Sequence, residues 1–214
     1  MELNDLKFGN PIREFLIYLK SENFLDSLLP ELTSYAPPPN DSDVAAQELA
    51  KLVELTNSFS NDLEAQKRFD SYENFEEFFI SQLVNEGISE KDITDLIVSL
   101  HQDIVPLCVK IKYHFQRVRP ITLALYKKVE LYPFNSCYVN SPSYPSGHAF
   151  QALVYAEVIG NKYPKFYVPL KNLAIDIANS RIYKGLHYES DVLFANYAAS
   201  LVCNHPDFKK KYKL

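Results

Sequence analysis

A histidine and an aspartate at helical spacing lie in the segment SRIYKGLHYESD, residues 180–191. Asp191 is four residues beyond His187, which on a helix places its carboxylate within reach of one imidazole nitrogen. That bond would fix the tautomer of the ring and leave the lone pair of the other nitrogen available for attack. The same spacing also occurs in ordinary pairs on helix surfaces, so the pair alone leaves both interpretations open.

Two basic residues, Lys112 and Arg119, stand seven positions apart in the segment KYHFQRVRP. Seven residues are about two helical turns, so the two side chains would share one face of a helix. Pro120 disfavours continuation of that helix and leaves the Arg119 guanidinium near a helix end. A solvated basic face is the alternative interpretation. The same stretch, 110–128, carries four more basic residues: Lys110, Arg117, Lys127 and Lys128.

The segment SPSYPSGHAF, residues 141–150, is rich in turn residues and leads into an apolar stretch. If a helix begins near His148, its first N–H groups have no partner within the helix and point outward with the positive end of the helix dipole. Gly147 lets a ligand approach the backbone closely, and Ser146 adds a hydroxyl donor. These features outline a phosphate-binding helix start, although Ser-Gly before a helix is common.

Together the three segments meet the requirements of phosphoryl transfer. The cations Lys112, Arg119 and Arg181 can neutralise the charge on the equatorial oxygens of the phosphoryl group. Backbone donors at 146–148 can preorganise the site. One oriented histidine can attack phosphorus, and the other can give a proton to the leaving oxygen.

The motifs K-x6-RP, PSGH and SR-x5-H-x3-D, in this order, resemble the signature of the type 2 phosphatidic acid phosphatase superfamily. That superfamily contains class A acid phosphatases, membrane lipid phosphatases and vanadium haloperoxidases. The sequences SYPSGHA, G-x-H-x-x-SDV and APPPNDS are most similar to the soluble bacterial class A non-specific acid phosphatases. Tyr188 departs from that branch, which usually has Trp there, and no secretion signal precedes the domain.

The resemblance implies a role for each motif residue. His187 would be the nucleophile that forms a phosphohistidine, Asp191 would orient it, and His148 would be the general acid. The phosphate would be held by Lys112, Arg119, Ser146, Gly147 and Arg181. The superfamily's reaction needs no metal and no cofactor, and the sequence contains no metal-ligand spacing of Cys and His.

Helical periodicity extends over nearly the whole chain and predicts an all-α, single-domain helical bundle of the acid phosphatase and haloperoxidase type. Residues 1–35 are predicted to be an N-terminal helical extension, and 36–214 the phosphatase domain. We expect a first helix from Asn10-Pro11 to Lys20, and a helix near 43 capped by Asp41 or Ser42. A long helix is expected over 90–118, kinked or divided at Pro106.

The composition restricts the class of partner. The 214 residues carry a net charge of −5, which gives no reason to expect nucleic acid. No run reaches about 18 apolar residues and no leader is visible, so we expect a soluble, cytoplasmic protein without a membrane span. Cys108, Cys137 and Cys203 are expected to be reduced structural thiols. The expected partner is a small phosphorylated substrate, and a homo-oligomer remains possible.

Two alternatives to a phosphatase remain. A vanadium-dependent haloperoxidase would use the same pocket for vanadate, although the chain is short for that branch. A non-catalytic phosphate-binding module would need only the cations and neither histidine. The substrate class also stays open among nucleotides, sugar phosphates, pyrophosphate and lipid phosphates. Specificity is expected from the loop 129–144 and the N-terminal helices.

Overall fold

The computed structural model describes residues 2–136 and 139–214, so Cys137 and Tyr138 in the loop before Ser141 lie outside the description. Over these ranges the chain forms helices and no strands, as the periodicity predicts. The α-helices are α1 Arg13–Lys20, α2 Leu29–Leu32, α3 Asp43–Phe59, α4 Leu63–Ser71, α5 Glu76–Val84, α6 Glu90–Phe115, α7 Pro120–Lys127, α8 Gly147–Lys162, α9 Tyr167–Tyr183, α10 Glu189–Asn204 and α11 Pro206–Tyr212. Short 3-10 helices span Leu3–Asp5, Phe24–Leu28, Tyr72–Asn74 and Pro164–Phe166.

Helix α8 is the centre of the molecule and packs against α6, α9 and α10. Small residues on α8 permit this close packing: Ala149, Ala152, Ala156 and Gly160 are all buried. A Cβ atom added to Gly160 would lie 2.7 Å from the Tyr167 ring and 3.0 Å from its Cα, so only glycine fits where the chain turns from α8 into α9. The N-terminus of α8 therefore belongs to a closely packed, buried helix.

The N-terminal residues pack onto this core. Leu25 and Leu32 are fully buried in the main hydrophobic cluster, and α1 contacts α6. The predicted division of the chain at residue 35 remains a prediction.

Helix starts agree with the predictions where a side chain caps them. The hydroxyl of Ser42 accepts a hydrogen bond from the Ala45 N–H, which makes Ser42 and not Asp41 the cap of α3. Asn10 does not cap α1: that helix begins at Arg13, and its N-cap residue is Ile12, without a capping side chain. The predicted start of α1 was therefore too early, because the Asn-Pro pair precedes the helix.

The predicted helix over 90–118 is wrong at its end. Pro106 does not divide α6, which is continuous from Glu90 to Phe115. The helix ends because Gln116 adopts a left-handed conformation with φ 52°. Arg119 then lies outside α6, as the N-cap residue of α7. Lys112 and Arg119 thus do not share a helix face.

Among the described residues, every helix is too short or too polar to cross a lipid bilayer. Cys108 and Cys203 are buried free thiols.

Candidate active site

His187 and Asp191 lie together at the start of α10. His187 lies before α10, because Tyr188 is the N-cap residue of that helix. Gly185, with φ 72°, allows the chain to turn between the end of α9 and His187. Asp191 is in the first turn, and its Oδ2 lies 3.1 Å from Nδ1 of His187. The contact predicted from the spacing is present, although the two residues do not both belong to the helix.

The tautomer of His187 follows from its neighbours. Nε2 lies 2.8 Å from a terminal nitrogen of Arg119, and a guanidinium can only donate. Nε2 therefore accepts, which leaves the hydrogen on Nδ1 to be donated to Asp191. Burial, followed by the positive charge of Arg119, lowers the pKa of His187 well below its usual value. The ring is neutral, and its Nε2 carries a lone pair.

Asp191 is fully buried and accepts hydrogen bonds from several groups. Its Oδ2 also accepts from the Tyr188 N–H at 3.0 Å and from the hydroxyl of Ser143. Its Oδ1 lies 2.6 Å from a terminal nitrogen of Arg117. Burial alone would raise the pKa of Asp191, but the charge of Arg117 and these hydrogen bonds hold it below its usual value.

Arg117 and Ser143 were not among the predicted site residues. Arg117 belongs to the basic cluster noted in the sequence, but its direction is set by the turn between α6 and α7. The other terminal nitrogen of Arg117 binds Glu48 of α3 at 3.0 Å, and its guanidinium lies over the Tyr188 ring, 3.9 Å from the ring centre. A large aromatic residue at 188 therefore supports the cation that holds Asp191.

Backbone groups of the loop before α8 form hydrogen bonds with Lys112, Arg117 and Arg119, and these bonds hold the loop against the site. The carbonyl of Ser141 accepts from Nε of Arg119 at 2.8 Å, and the carbonyl of Pro142 accepts from Nζ of Lys112 at 2.6 Å. The N–H of Ser143 donates to the carbonyl of Arg117 at 2.9 Å. Lys112 and Arg119 thus meet across this loop even though they come from different elements.

Lys112 and Arg119 are both buried, and their charges repel each other. Burial and the charge of Arg119 lower the pKa of Lys112 to about 7. Burial lowers the pKa of Arg119 to about 10, although the charge of Asp191 opposes this change. A pocket that concentrates positive charge in this way is suited to a bound anion.

Helix α8 begins at Gly147 with Ser146 as its N-cap residue, as predicted. The N–H of Ser146 is already used, since it donates to the carbonyl of Asp191 at 3.1 Å. The hydroxyl of Ser146 is buried and has no hydrogen-bond partner among the described residues. A Cβ atom at Gly147 would make only an ordinary contact, 3.8 Å from Cε of Lys112, so glycine keeps this face of the pocket open without being required by the fold.

His148 is buried beside Phe75, with ring centres 5.3 Å apart. Burial and the charge of Arg181 lower its pKa well below the usual value, against a hydrogen bond to the backbone of Glu73. His148 is therefore neutral in this structure.

Arg181 lies behind the pocket wall and binds acidic and polar side chains. One terminal nitrogen lies 2.7 Å from Glu73 and the other 3.0 Å from the hydroxyl of Ser136. Glu73 also binds the buried Lys184 at 2.8 Å. Glu73 is a third residue that the sequence motifs did not identify, and no local pattern around it points to this contact.

Many of these groups line one pocket with a volume of about 270 Å³. Of the predicted residues, it is lined by Lys112, Arg119, Gly147, His148 and His187. Ser146, Arg181 and Asp191 are not among the residues that line it. In the described parts of the chain, no group of three or more His, Cys, Asp or Glu side chains could hold a metal ion.

The chain belongs to the PAP2 superfamily, the type 2 phosphatidic acid phosphatases, whose sequence pattern matches residues 94–205. This range is just over half of the chain and contains all three motifs. The superfamily and the all-α fold predicted from the motifs and the periodicity are thereby confirmed. The narrower similarity to the class A branch is not shown by this match.

No curated protein matches the sequence. Among solved structures, the chain is similar to the transmembrane PAP2-type phosphatidylglycerolphosphate phosphatase of Bacillus subtilis. The identity is 18%, the match covers 94% of this chain and 90% of that one, and the TM-score is 0.41.

Proposed function

We propose that this protein is a metal-independent phosphatase that hydrolyses phosphate monoesters through a phosphohistidine at His187. The observation that carries the proposal is the arrangement around this ring. Asp191 holds Nδ1–H, and Nε2, whose lone pair accepts a hydrogen bond from Arg119, lines a pocket beside two buried cations. A binding module would need the cations but not an oriented, neutral imidazole.

In the first step, the Arg119 N–H that donates to Nε2 of His187 turns to a phosphoryl oxygen and releases the lone pair. Nε2 then forms a bond to phosphorus while the bond from phosphorus to the ester oxygen breaks. The leaving oxygen takes a proton from His148, and the alcohol departs. Lys112 and Arg119 bind the phosphoryl oxygens, together with the free hydroxyl of Ser146 and the first amides of α8. Arg181 can contribute as well, because a guanidinium has five N–H donors and can bind Glu73 and an anion together.

In the second step, His148 accepts a proton from water as the water oxygen attacks phosphorus. The bond between Nε2 and phosphorus breaks, inorganic phosphate leaves, and His148 is protonated again. Asp191 stabilises the positive charge that His187 carries while phosphorylated. The two histidines, the ester and one water thus supply every proton and every bond in the two steps.

Rapid-quench measurement with p-nitrophenyl phosphate tests the assignment of the two histidines. His148→Ala should release a burst of nitrophenolate near one equivalent per site and keep the phosphate on His187. His187→Ala should release none, whereas His114→Ala, at an exposed histidine outside the pocket, should behave like the wild type. A burst from His187→Ala and none from His148→Ala would reverse the roles.

The similarity to class A acid phosphatases, a broad substrate range and a cytoplasmic location are part of the same proposal. Phosphate release from nucleotides, sugar phosphates, pyrophosphate and lipid phosphates measures the range. The same preparation with vanadate, peroxide and bromide separates hydrolysis from haloperoxidase activity. Chelators should leave phosphate release unchanged, and activity restored by magnesium or zinc would refute metal independence.

A further inference from the structure

The pocket has a second set of lining residues that the phosphoryl chemistry does not use. Helix α6 presents a stripe to it, with His101, Val105 and Val109 on the same side as Lys112. Aromatic side chains complete this part: Phe15 and Tyr18 from α1, and Phe75. If the proposed function is correct, the alcohol part of the ester must lie against these residues, since the cations and histidines hold the phosphate.

Glu76 is the charged residue of this second set. It is the first residue of α5, is partly buried, and lines the pocket. Burial raises the pKa of Glu76, and the charge of Glu77 raises it further, although a backbone hydrogen bond opposes both effects. No cation of the described chain pairs with Glu76. The contrast with Glu73 is clear, because Arg181 and Lys184 already bind Glu73.

We propose that the substrate's alcohol carries a positive charge, so that the preferred ester is the phosphate of a small amino alcohol. Its ammonium group would bind the carboxylate of Glu76, and aromatic faces attract cations. An ion pair in a partly buried pocket is screened less than one on the surface. His101 adds an acceptor, since burial lowers its pKa and keeps the ring neutral.

The same features disfavour other esters. A second anionic group on the alcohol would meet Glu76 without a cation to compensate it. The volume of about 270 Å³ lies just below the range usual for drug-sized ligands, which suits a small ester. Within a broad substrate range, pyrophosphate and nucleotides are therefore expected to have lower kcat/KM values than the phosphate of a small amino alcohol.

Phosphoethanolamine and n-propyl phosphate form a matched pair of test substrates, because they differ in an ammonium group against a methyl group. The ratio of their kcat/KM values should be at least about tenfold in favour of phosphoethanolamine, equivalent to about 1.4 kcal/mol. Glu76→Gln should lower this ratio about tenfold. Glu77→Gln, at the exposed neighbouring carboxylate, should keep the wild-type ratio. Because each variant is compared by a ratio, the different reactivities of the two esters cancel.

A binding measurement makes the result independent of catalysis. Calorimetric titration of wild type and His187→Ala with 2-aminoethylphosphonate and propylphosphonate should show the same preference for the ammonium compound. Glu76→Gln should lose it. Equal binding of the two phosphonates, or a preference that survives Glu76→Gln, overturns the inference. Absence of phosphate release from p-nitrophenyl phosphate would instead refute the proposed function, whatever the phosphonates show.

Discussion

His148 must hold a proton to act as a general acid, yet its surroundings favour the neutral ring. Burial and the nearby charge of Arg181 lower its pKa well below about 6.5. The charge of a bound phosphate dianion opposes that of Arg181 and favours protonation. The proton therefore has to arrive from solution, either at low pH or together with the substrate.

The dependence on pH should consequently differ between leaving groups. An alkoxide needs the proton of His148, whereas nitrophenolate leaves tolerably without it. As the pH falls from about 7 into the acid range, the fraction of protonated His148 in the free enzyme rises. The ratio of kcat/KM for n-propyl phosphate to that for p-nitrophenyl phosphate should therefore rise by up to about tenfold per pH unit. His148→Ala should give a ratio that does not change with pH, and the same flat profile in the wild type would contradict the acid role.

Asp191 contributes charge as well as position. Asp191→Asn keeps the shape of the side chain but removes the charge that stabilises phosphorylated His187. By analogy with triad aspartates, kcat should fall on the order of 10²–10⁴-fold. Phosphate release by the folded variant, checked by circular dichroism, measures the loss, with Asp207→Asn at an exposed position as the control. More than half the activity remaining would show that the assigned orientation is wrong.

At this scale, the spacing of His187 and Asp191 was sufficient to predict their contact. It was not sufficient for Arg117, because whether a basic residue faces Asp191 or solvent depends on the turn at Gln116. The contact of Ser143 with Asp191 could not be predicted for a similar reason. The Ser143 hydroxyl reaches Asp191 only because the loop binds the backbone of Arg117.

Helix ends, more than helix faces, bring the site together. Lys112 lies near the end of α6, Arg119 at the start of α7, His148 in the first turn of α8, and Asp191 in the first turn of α10. Arg117, in the turn between α6 and α7, links α10 to α3, since it binds both Asp191 and Glu48. These two ion pairs are almost completely shielded from water.

Arg117→Met should therefore destabilise the fold. It leaves the fully buried Asp191 without its cation, and breaking such a pair costs about 3–5 kcal/mol. Urea unfolding followed by circular dichroism measures the change in the free energy of unfolding. Lys51→Met is the matched control, because Lys51 joins α3 to Glu189 of α10 on the exposed surface and exposed pairs contribute little. Equal shifts for both variants would contradict this account.

The elements themselves were largely predictable from periodicity, and their ends were not. Apolar spacing indicated α3 and α6, and Ser42 marked a start. The end of α6 carries no such mark, because Gln116 adopts a conformation that more often belongs to glycine. One wrong helix end was enough to misplace Arg119 on the face of α6.

Over the whole molecule, the pocket is lined both by the N-terminal segment and by the helices that carry the three motifs. Phe15 and Tyr18 reach the pocket from α1, and Leu25 and Leu32 lie in the core that surrounds α8. The first 35 residues thus contribute to both packing and the pocket wall.

Leu25→Ala should lower the stability of the whole chain and not of a separate part. The side chain has 0% exposure, and its truncation should cost about 2–5 kcal/mol. Thermal unfolding should stay a single transition with a lower midpoint, and Ile17→Ala, at a side chain 73% exposed, should change the midpoint little. A separate early transition in Leu25→Ala, with the main one unchanged, would show that residues 1–35 unfold as an independent extension.

The pKa of Lys112, about 7, couples anion binding to proton uptake. Above that pH the amine is mostly neutral, and an arriving dianion draws a proton onto it. Affinity for sulfate, whose own charge is constant in this range, should then weaken by up to about tenfold per pH unit above 7 and level off below it. Calorimetric heats should also change with the ionisation enthalpy of the buffer. Released phosphate would be held more tightly as the pH falls towards 7, so the same lysine that captures the substrate makes product inhibition respond to pH.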